Sequence, residues 1–514
     1  MQNVGKQTTK NIIWNLIATI ISFAISFFIV PLISNKLGIE AYGFVSLANT
    51  MVSYIDIIAV AVNAFSARYI AIAYHNGDTE LANKYYNSVV FGHIIISVGT
   101  LTIGAVVIVF LDTILKITPE LVTDVKILFA LVLLGYIVNL FCSIFNLGTF
   151  IKNKIDINCR NRGLSGVLSA VLLGAAVIFG FIKVYTLAVI TIASSMFLMI
   201  LNYYYSKKYM PELHLTKGDV NFSNLLEIIK SGIWNTLNNI GTLLNTGLDL
   251  LVSNRFLNAL LTGQISVGKQ LSSIMMTFSN IIVLAFQPKQ LEYYSKGETD
   301  KLVKSIVTSM RLSGIVSTII VAGFCGLGLS FVALWLPNHD THKIFELSLI
   351  ILAGDSIICS SKPLYYIYTL TNKLKVVSFT TLIVGFLNFG SMVVLLLTTS
   401  IQGEYIVIGT TVVLNFISSW LGPYFAKKYL KLDKDYFSSV MIRHILSCAL
   451  CCLVSYGIMK ILPFEINSWL VFFGMVVAFF IIISVCCFAI ETSNSEKKFV
   501  FDWIKTHILK RSGE

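Results

Sequence analysis

Apolar runs of about 18 residues or more return along this chain again and again, and a run of that length crosses a bilayer core as a helix. Fourteen such stretches lie near 11–32, 42–65, 87–111, 124–149, 164–183, 185–205, 228–253, 264–288, 304–336, 344–370, 374–399, 403–425, 438–460 and 466–490. Within hydrocarbon each backbone N–H and C=O must be satisfied inside the protein, so stretches of this kind fold as helices. Composition agrees, because 56% of the 514 residues are apolar and 12% are charged, about half the charge of a soluble domain. The expected fold is an all-α polytopic membrane protein with fourteen transmembrane helices. The first run is too long for a cleaved signal peptide, and no small-residue cleavage site follows it.

The start of the chain has an echo about 220 residues later. Ile13, Trp14 and Asn15 recur as Ile233, Trp234 and Asn235, and Ser34, Asn35 and Lys36 recur as Ser253, Asn254 and Arg255. Tyr74, Gly77 and Thr79 match Tyr294, Gly297 and Thr299, while Asn153, Lys154 and Ile155 match Asn372, Lys373 and Leu374. Several matches in order at one spacing argue for two homologous halves, a common plan in transporters. The expected division is a six-helix bundle over 1–205, a cytoplasmic linker over 206–227 and a second bundle over 228–425. Two further helices over 438–490 and a tail over 491–514 complete it.

The formal net charge of +12 does not mark a nucleic-acid surface, because its distribution follows the loops. The N-terminus, every second loop and the tail together hold 27 lysines and arginines, against eight in the alternate loops. By the positive-inside rule both termini are cytoplasmic. Val500, Trp503, Ile504 and Ile508 fall at helical spacing among basic residues, which reads as an amphipathic helix on the inner leaflet.

Certain spans carry a polar stripe at spacings of three and four, on one helical face. In span 1 it is Asn11, Asn15, Thr19, Ser22 and Ser26; in span 2, Ser46, Asn49, Ser53, Asp56 and Asn63. Span 7 has Asn235, Asn238, Thr242, Asn245 and Asp249, and span 8 has Ser266, Gln270, Ser273, Thr277 and Asn280. One such stripe is ordinary glue between membrane helices. Stripes on corresponding spans of two repeats point instead to a wet substrate cavity. A charge at the bilayer centre costs about 3 kcal/mol on insertion scales, so each is a functional candidate. Asp56, Asp249 and Asp355 are candidates for ion coupling, and Lys362 and Arg311 for binding an anion, with snorkelling to the headgroups as the competing reading. Asp355, Cys359, Lys362 and Tyr366 share one face of span 10, and Pro363 is expected to kink it.

Catalysis and metal binding find little support. Seven of the nine cysteines sit within apolar runs, where cysteine is a small hydrophobe. His339, Asp340 and His342 form the one outer cluster, and no phosphate-binding glycine loop with a following lysine occurs. The expectation is no metal, no cofactor and no enzyme activity; a membrane glycan polymerase or ligase is the less favoured alternative.

The six-six-two plan, the inward termini, Asn35, Lys36, Leu37 and Gly38, then Tyr42 and Gly43 after the first span, and Thr371, Asn372 and Lys373 after the tenth resemble a known group. They are similar to the polysaccharide branch of the multidrug/oligosaccharidyl-lipid/polysaccharide (MOP) exporter superfamily. The resemblance implies a Wzx-type flippase of a bacterial inner membrane, with two bundles around a V-shaped cavity. Such a protein moves an undecaprenyl-diphosphate-linked oligosaccharide to the outer leaflet by alternating access for cell-surface polysaccharide biosynthesis. It further implies membrane lipids, a coupling H+ or Na+ and polysaccharide polymerase machinery as partners, no nucleic acid, and a final helix pair bordering the lipid tail. A multidrug exporter or a lipid II-type flippase of the same superfamily is the alternative. The lipid II flippases carry arginines in their first helices, and spans 1 and 2 as bounded here have none. The multidrug exporters have twelve spans.

Overall fold

The computed structural model describes residues 21, 23–25, 27–152, 154–461 and 466–491. Among the described residues the regular structure is helical throughout, with no strand. The helices are α1 Phe23–Leu37, α2 Ile39–His75, α3 Thr79–Val109, α4 Pro119–Ile151, α5 Asp156–Ile178 and α6 Thr186–Tyr209. Helix α7 runs over Phe222–Thr242, through a π-helical turn at Leu243–Gly247, into Asp249–Phe256. Then follow α8 Ala259–Ser295, α9 Thr299–Trp335, α10 Thr341–Leu370, α11 Leu374–Thr398, α12 Gly403–Tyr429, α13 Ser438–Ile461 and α14 Trp469–Glu491.

Twelve of these, α2–α6 and α8–α14, are long and apolar enough to cross a membrane. The expected count of fourteen is therefore twelve by this measure among the described residues. The two that fall short are those expected to open the two repeats. Most of span 1 lies outside the described residues, and in α7 the run of Asn235, Asn238, Asn239, Thr242 and Asn245 lowers the hydropathy. The tail over 491–514 also lies outside them, apart from Glu491.

Helix α2 extends ten residues past the expected end at 65, because the turn that ends it comes at Gly77 and not where the apolar run stops. Arg68 is thus carried on α2, and the statement that the second span lacks arginine holds only for its apolar stretch.

The sequence echoes have a backbone counterpart. Gly77 has φ +85 and Gly297 φ +71, the left-handed conformation in which glycine ends helices. At the first, Gly77 N–H donates to Tyr74 O and Asp78 N–H to Ala73 O, both at 3.1 Å. At the second, Gly297 N–H donates to Tyr294 O at 3.1 Å and Glu298 N–H to Tyr293 O at 3.0 Å. The third echo repeats as well: Lys154 N–H donates to Thr149 O, and Lys373 N–H to Tyr368 O, at 2.8 and 2.7 Å.

By contact the chain forms two compact units, Met1–Ser266 with Ser378–Thr398, and Val267–Val377 with Thr399–Glu514. In the first, α7 packs close on α2 and α11. A Cβ on Gly232 would fall 2.2 Å from Ala61 O, and one on Gly385 would fall 2.5 Å from Gly241 O. Small residues let the backbones approach, and polar groups then join them. Tyr69 Oη and Ser231 Oγ are 2.9 Å apart, Ser378 Oγ donates to Trp234 O at 2.7 Å, and Asn388 Nδ2 donates to Asn245 O.

In the second unit α9 is the spine. Ala322 and Leu327 of α9 are buried with Cys451 of α13 and Phe472, Phe479, Ile483 and Cys487 of α14. Gly326 lets Phe479 and Ser455 lie against α9, and Gly354 of α10 sits against Val412 of α12.

Candidate functional site

The predicted polar residues fall in both units, and each unit gathers its own set. Asn15 lies outside the described residues. In the first unit Asn49 is exposed on α2, its amide donating to Val45 O of its own helix at 2.9 Å. Asp56, half-buried, accepts a hydrogen bond from Tyr136 Oη of α4 at 3.2 Å. Asn235 and Asn238 are partly buried on α7, whereas Asn245 and Asp249 are buried at and just beyond the π-turn. Tyr54 of α2 closes that turn by donating to Gly247 O at 2.8 Å. π-turns displace a helix face by one extra residue and often mark functional sites. Here the turn places Asn245 inward and shifts Asp249 out of a plain 3.6-residue register with Asn235 and Asn238.

In the second unit Ser272 Oγ donates to the Asp355 carboxylate. The stripe had assigned Ser273, which is exposed, while Ser272 beside it is buried. A single residue turns the helix face by about 100°. Gln270, Arg311 and Tyr366 are partly buried. The expected kink is present, because α10 breaks at a 3-10 turn, Lys362–Leu364, that contains Pro363. Proline removes one helical N–H donor there. Lys362 opens this turn half-buried, and among the described residues no hydrogen bond or ion pair engages its ammonium. In particular no ion pair joins it to Asp355, seven residues away.

Two acid–base contacts between helices were not legible in the sequence. Lys343, assigned to an outer loop, lies 2.7 Å from Glu404 of α12, donates to Tyr405 Oη at 3.0 Å and sits 4.4 Å from that ring's centre. His444 of α13 meets Glu491, the last residue of α14, at 3.4 Å. The expected final span ended at 490, one residue short of that carboxylate.

Two cavities complete the geometry. One, about 390 Å³, is an apolar groove in the second unit between α8, α9 and α14. Its walls include Phe278, Gly323, Phe324, Phe331, Phe473 and Phe480. The other, about 470 Å³, is a polar pocket of the first unit lined by Glu40, Asp112, Lys116, Arg255 and Asn258. Lys126 Nζ lies 3.0 Å from Asp112 and holds that exposed carboxyl below its usual range. Thr118 Oγ1 donates to Glu40 at 2.6 Å, and Asn254 clamps the Lys116 backbone by accepting from its N–H and donating to its C=O. All nine cysteines are free, and no cluster fit to hold a metal occurs among the described residues.

Comparison with known proteins follows the same line. A family model described as polysaccharide biosynthesis protein matches residues 8–289, more than half of the chain. The chain is 27% identical over 501 residues to the uncharacterized membrane protein EpsK of Bacillus subtilis (strain 168), covering 96% of this chain and 97% of that one. Among solved structures it resembles an inward-facing multidrug resistance MATE family transporter of the MOP superfamily. The TM-score is 0.66 at 14% identity, over 80% of this chain and 94% of the transporter. It also resembles the lipid II flippase MurJ in an inward closed conformation, with TM-score 0.62 at 12% identity, over 94% and 98% of the two chains. Identities this low establish the fold alone. The chain belongs to the polysaccharide biosynthesis protein family and is a multi-pass membrane protein whose fold is similar to those two solved structures.

Proposed function

We propose that the protein flips an undecaprenyl-diphosphate-linked oligosaccharide from the cytoplasmic to the outer leaflet by alternating access, driven by an ion gradient. The observation that carries this reading is the apolar groove on α8, α9 and α14. A soluble sugar gains nothing from a groove walled by apolar side chains, whereas a polyisoprenoid tail suits it. Lys362, at the broken turn of α10, supplies a compact cation for the diphosphate. Arg311 is its second candidate partner. Asn15, Asn49, Asn235, Asn238, Asn245, Gln270, Ser273 and Tyr366 supply hydrogen-bonding groups for sugar hydroxyls, and Asp56, Asp249 and Asp355 are the carboxylates for a coupling H+ or Na+. The excess of lysine and arginine in the N-terminus, every second loop and the tail supports cytoplasmic termini, and the flippase reading puts the protein in a bacterial inner membrane. A transporter of this kind feeds its glycan to polymerase machinery on the outer face and carries out no bond-making itself.

Gly323 gives the test. It lines the groove, and a Cβ there meets nothing within 4 Å. Gly323→Phe therefore projects a ring from this open position into the groove, while Gly323→Ala leaves the groove open. Cells carrying Gly323→Phe are expected to lose surface polysaccharide and to accumulate lipid-linked glycan inside, with Gly323→Ala near normal. Unchanged export by Gly323→Phe at equal protein level would remove the groove from the mechanism.

A further inference from the structure

The C-terminal helix pair is joined to α9 and α10 by polar side chains in an otherwise apolar core. His444 is 1% exposed and Glu491 2% exposed. His444 Nδ1 faces Glu491 Oε1 at 3.4 Å and Thr318 Oγ1 of α9 at 3.3 Å. His444 Nε2 faces the backbone O of Ser356 on α10 at 3.2 Å and its Oγ at 3.0 Å. Gly314 of α9 makes the space, since a Cβ there would lie 2.9 Å from Nδ1 and 3.4 Å from Glu491 Oε2.

The ring's partners point to the nitrogen that carries a proton. Ser317 Oγ donates to Gly314 O at 2.9 Å, and Ser356 Oγ lies 3.1 Å from Ser317 Oγ. A carbonyl oxygen only accepts, so Nε2 carries the proton that bonds Ser356 O. Nδ1 is left facing a carboxylate. If neither holds a proton, a ring lone pair opposes a carboxylate oxygen, and the pair keeps one negative charge buried without a cation. Adding one proton takes the pair from net −1 to net zero, whether the proton rests on Nδ1 or on Oε1.

Other titratable groups face this site or adjoin it in the chain. Cys448 lies one turn beyond His444 on α13 and is close enough to interact with its charge. Cys487, one turn before Glu491 on α14, has its Sγ 3.7 Å from Cys451 Sγ of α13. On α9 the nearest charged residue is Arg311, three residues before Gly314, and on α10 it is Asp355, next to Ser356. Arg311 is already engaged elsewhere, and Asp355 accepts from Ser272.

We propose that His444 and Glu491 form a proton-binding site that links loading of one proton to the docking of α13 and α14 on α9 and α10. With the proton bound, the pair is neutral and closed. Its release leaves a charge that only water can support, so release requires the helix pair to part from α9 and Ser356 to lose its imidazole partner. His444 lies six residues into α13, roughly 9 Å of rise from its start. Use of this proton to drive transport rests on the flippase reading; the binding site itself does not.

The test uses the full chain in lipid nanodiscs without substrate, labelled with 15N at histidine. The resonance missing from His444→Gln identifies His444. It is expected to change protonation state between about pH 5 and 9, and Glu491→Gln is expected to displace or abolish that titration. Hydrogen exchange around Ser356, corrected for its intrinsic pH dependence, is expected to quicken as the proton leaves, and to lose this response in Glu491→Gln. A His444 resonance fixed in one state across the range would overturn the proposal, as would the same exchange response in wild type and Glu491→Gln. If His444→Gln does not fold, Glu491→Gln and the wild-type titration still decide. A site that titrates in a protein that flips no lipid-linked glycan would refute the transport reading alone.

Discussion

Replacing Lys362 by alanine separates an anion site from a snorkelling lysine. The ammonium sits at the 3-10 turn that breaks α10, half-buried and without a hydrogen-bond or ion-pair partner among the described residues. Its nearest acid along the helix is Asp355, seven residues or roughly 10 Å of rise away. At that separation and an effective dielectric near 20, attraction is worth about 1.7 kcal/mol. A cation near mid-membrane costs about 3 kcal/mol on insertion scales. Asp355 is also already bonded to Ser272. The balance must therefore come from water or from a bound anion, and a diphosphate supplies the latter. One charge-assisted hydrogen bond contributes about 1.5–3 kcal/mol, so Lys362→Ala is expected to weaken carrier binding about 10- to 100-fold. Lys362→Arg should retain more activity, because it keeps the charge. The assay is surface glycan and inner-leaflet lipid-linked glycan at native expression, beside a check of insertion and folding. Recovery on joint removal of Lys362 and Asp355 would make the two a structural pair. Normal export by Lys362→Ala would refute the anion site and leave snorkelling.

Three other perturbations follow from the packing. Cysteines placed at Asn49, Asn238 and Ser273 are expected to react with a small polar thiol reagent, against a background lacking the native cysteines; protection of all three in active protein would favour helix glue. Glu404→Gln should cost about 1 kcal/mol by removing the ion pair of the partly exposed Lys343, read as a lower thermal midpoint, and an unchanged midpoint would show that the pair does not stabilise the fold. Gly232→Ala should cost about 1–3 kcal/mol through overpacking against Ala61, with Gly174→Ala, which has open space, as the control; equal stability of the two would contradict the close α2–α7 crossing.

Much of the fold was legible because bilayer physics leaves few alternatives. Long apolar runs could only be helices, Pro363 could only interrupt its own, and the buried Cys451 and Cys487 behave as the small hydrophobes their surroundings implied. Gly77 matched Gly297 because each sits at a left-handed helix end, where glycine is favoured. What the sequence concealed depends on rotation and on partners far away in the chain. Composition cannot tell Ser272 from Ser273 beside Asp355, since one residue of helix rotation decides it. The π-turn at Leu243–Gly247 leaves no mark on a stripe of asparagines that suits a plain helix equally well. His444 reads as a lone histidine in an apolar run until α14 brings Glu491 to it, and Lys343 reads as a loop lysine until α12 brings Glu404. The end of α2 was misplaced because Arg68 interrupts the apolar run, while the helix continues with Ile70 and Ala73 packed in the core.

The central claim is movement of a lipid-linked glycan between leaflets, and it is measured most directly with purified protein in sealed vesicles. The probe is an undecaprenyl-diphosphate-linked oligosaccharide, scored by the fraction open to a membrane-impermeant glycosidase added outside. The account predicts that wild-type protein exposes inner-leaflet substrate over time, faster under an imposed ion gradient, and that Gly323→Phe and Lys362→Ala do not. Exposure no faster than in protein-free vesicles, with folded wild-type protein and a gradient present, would contradict it.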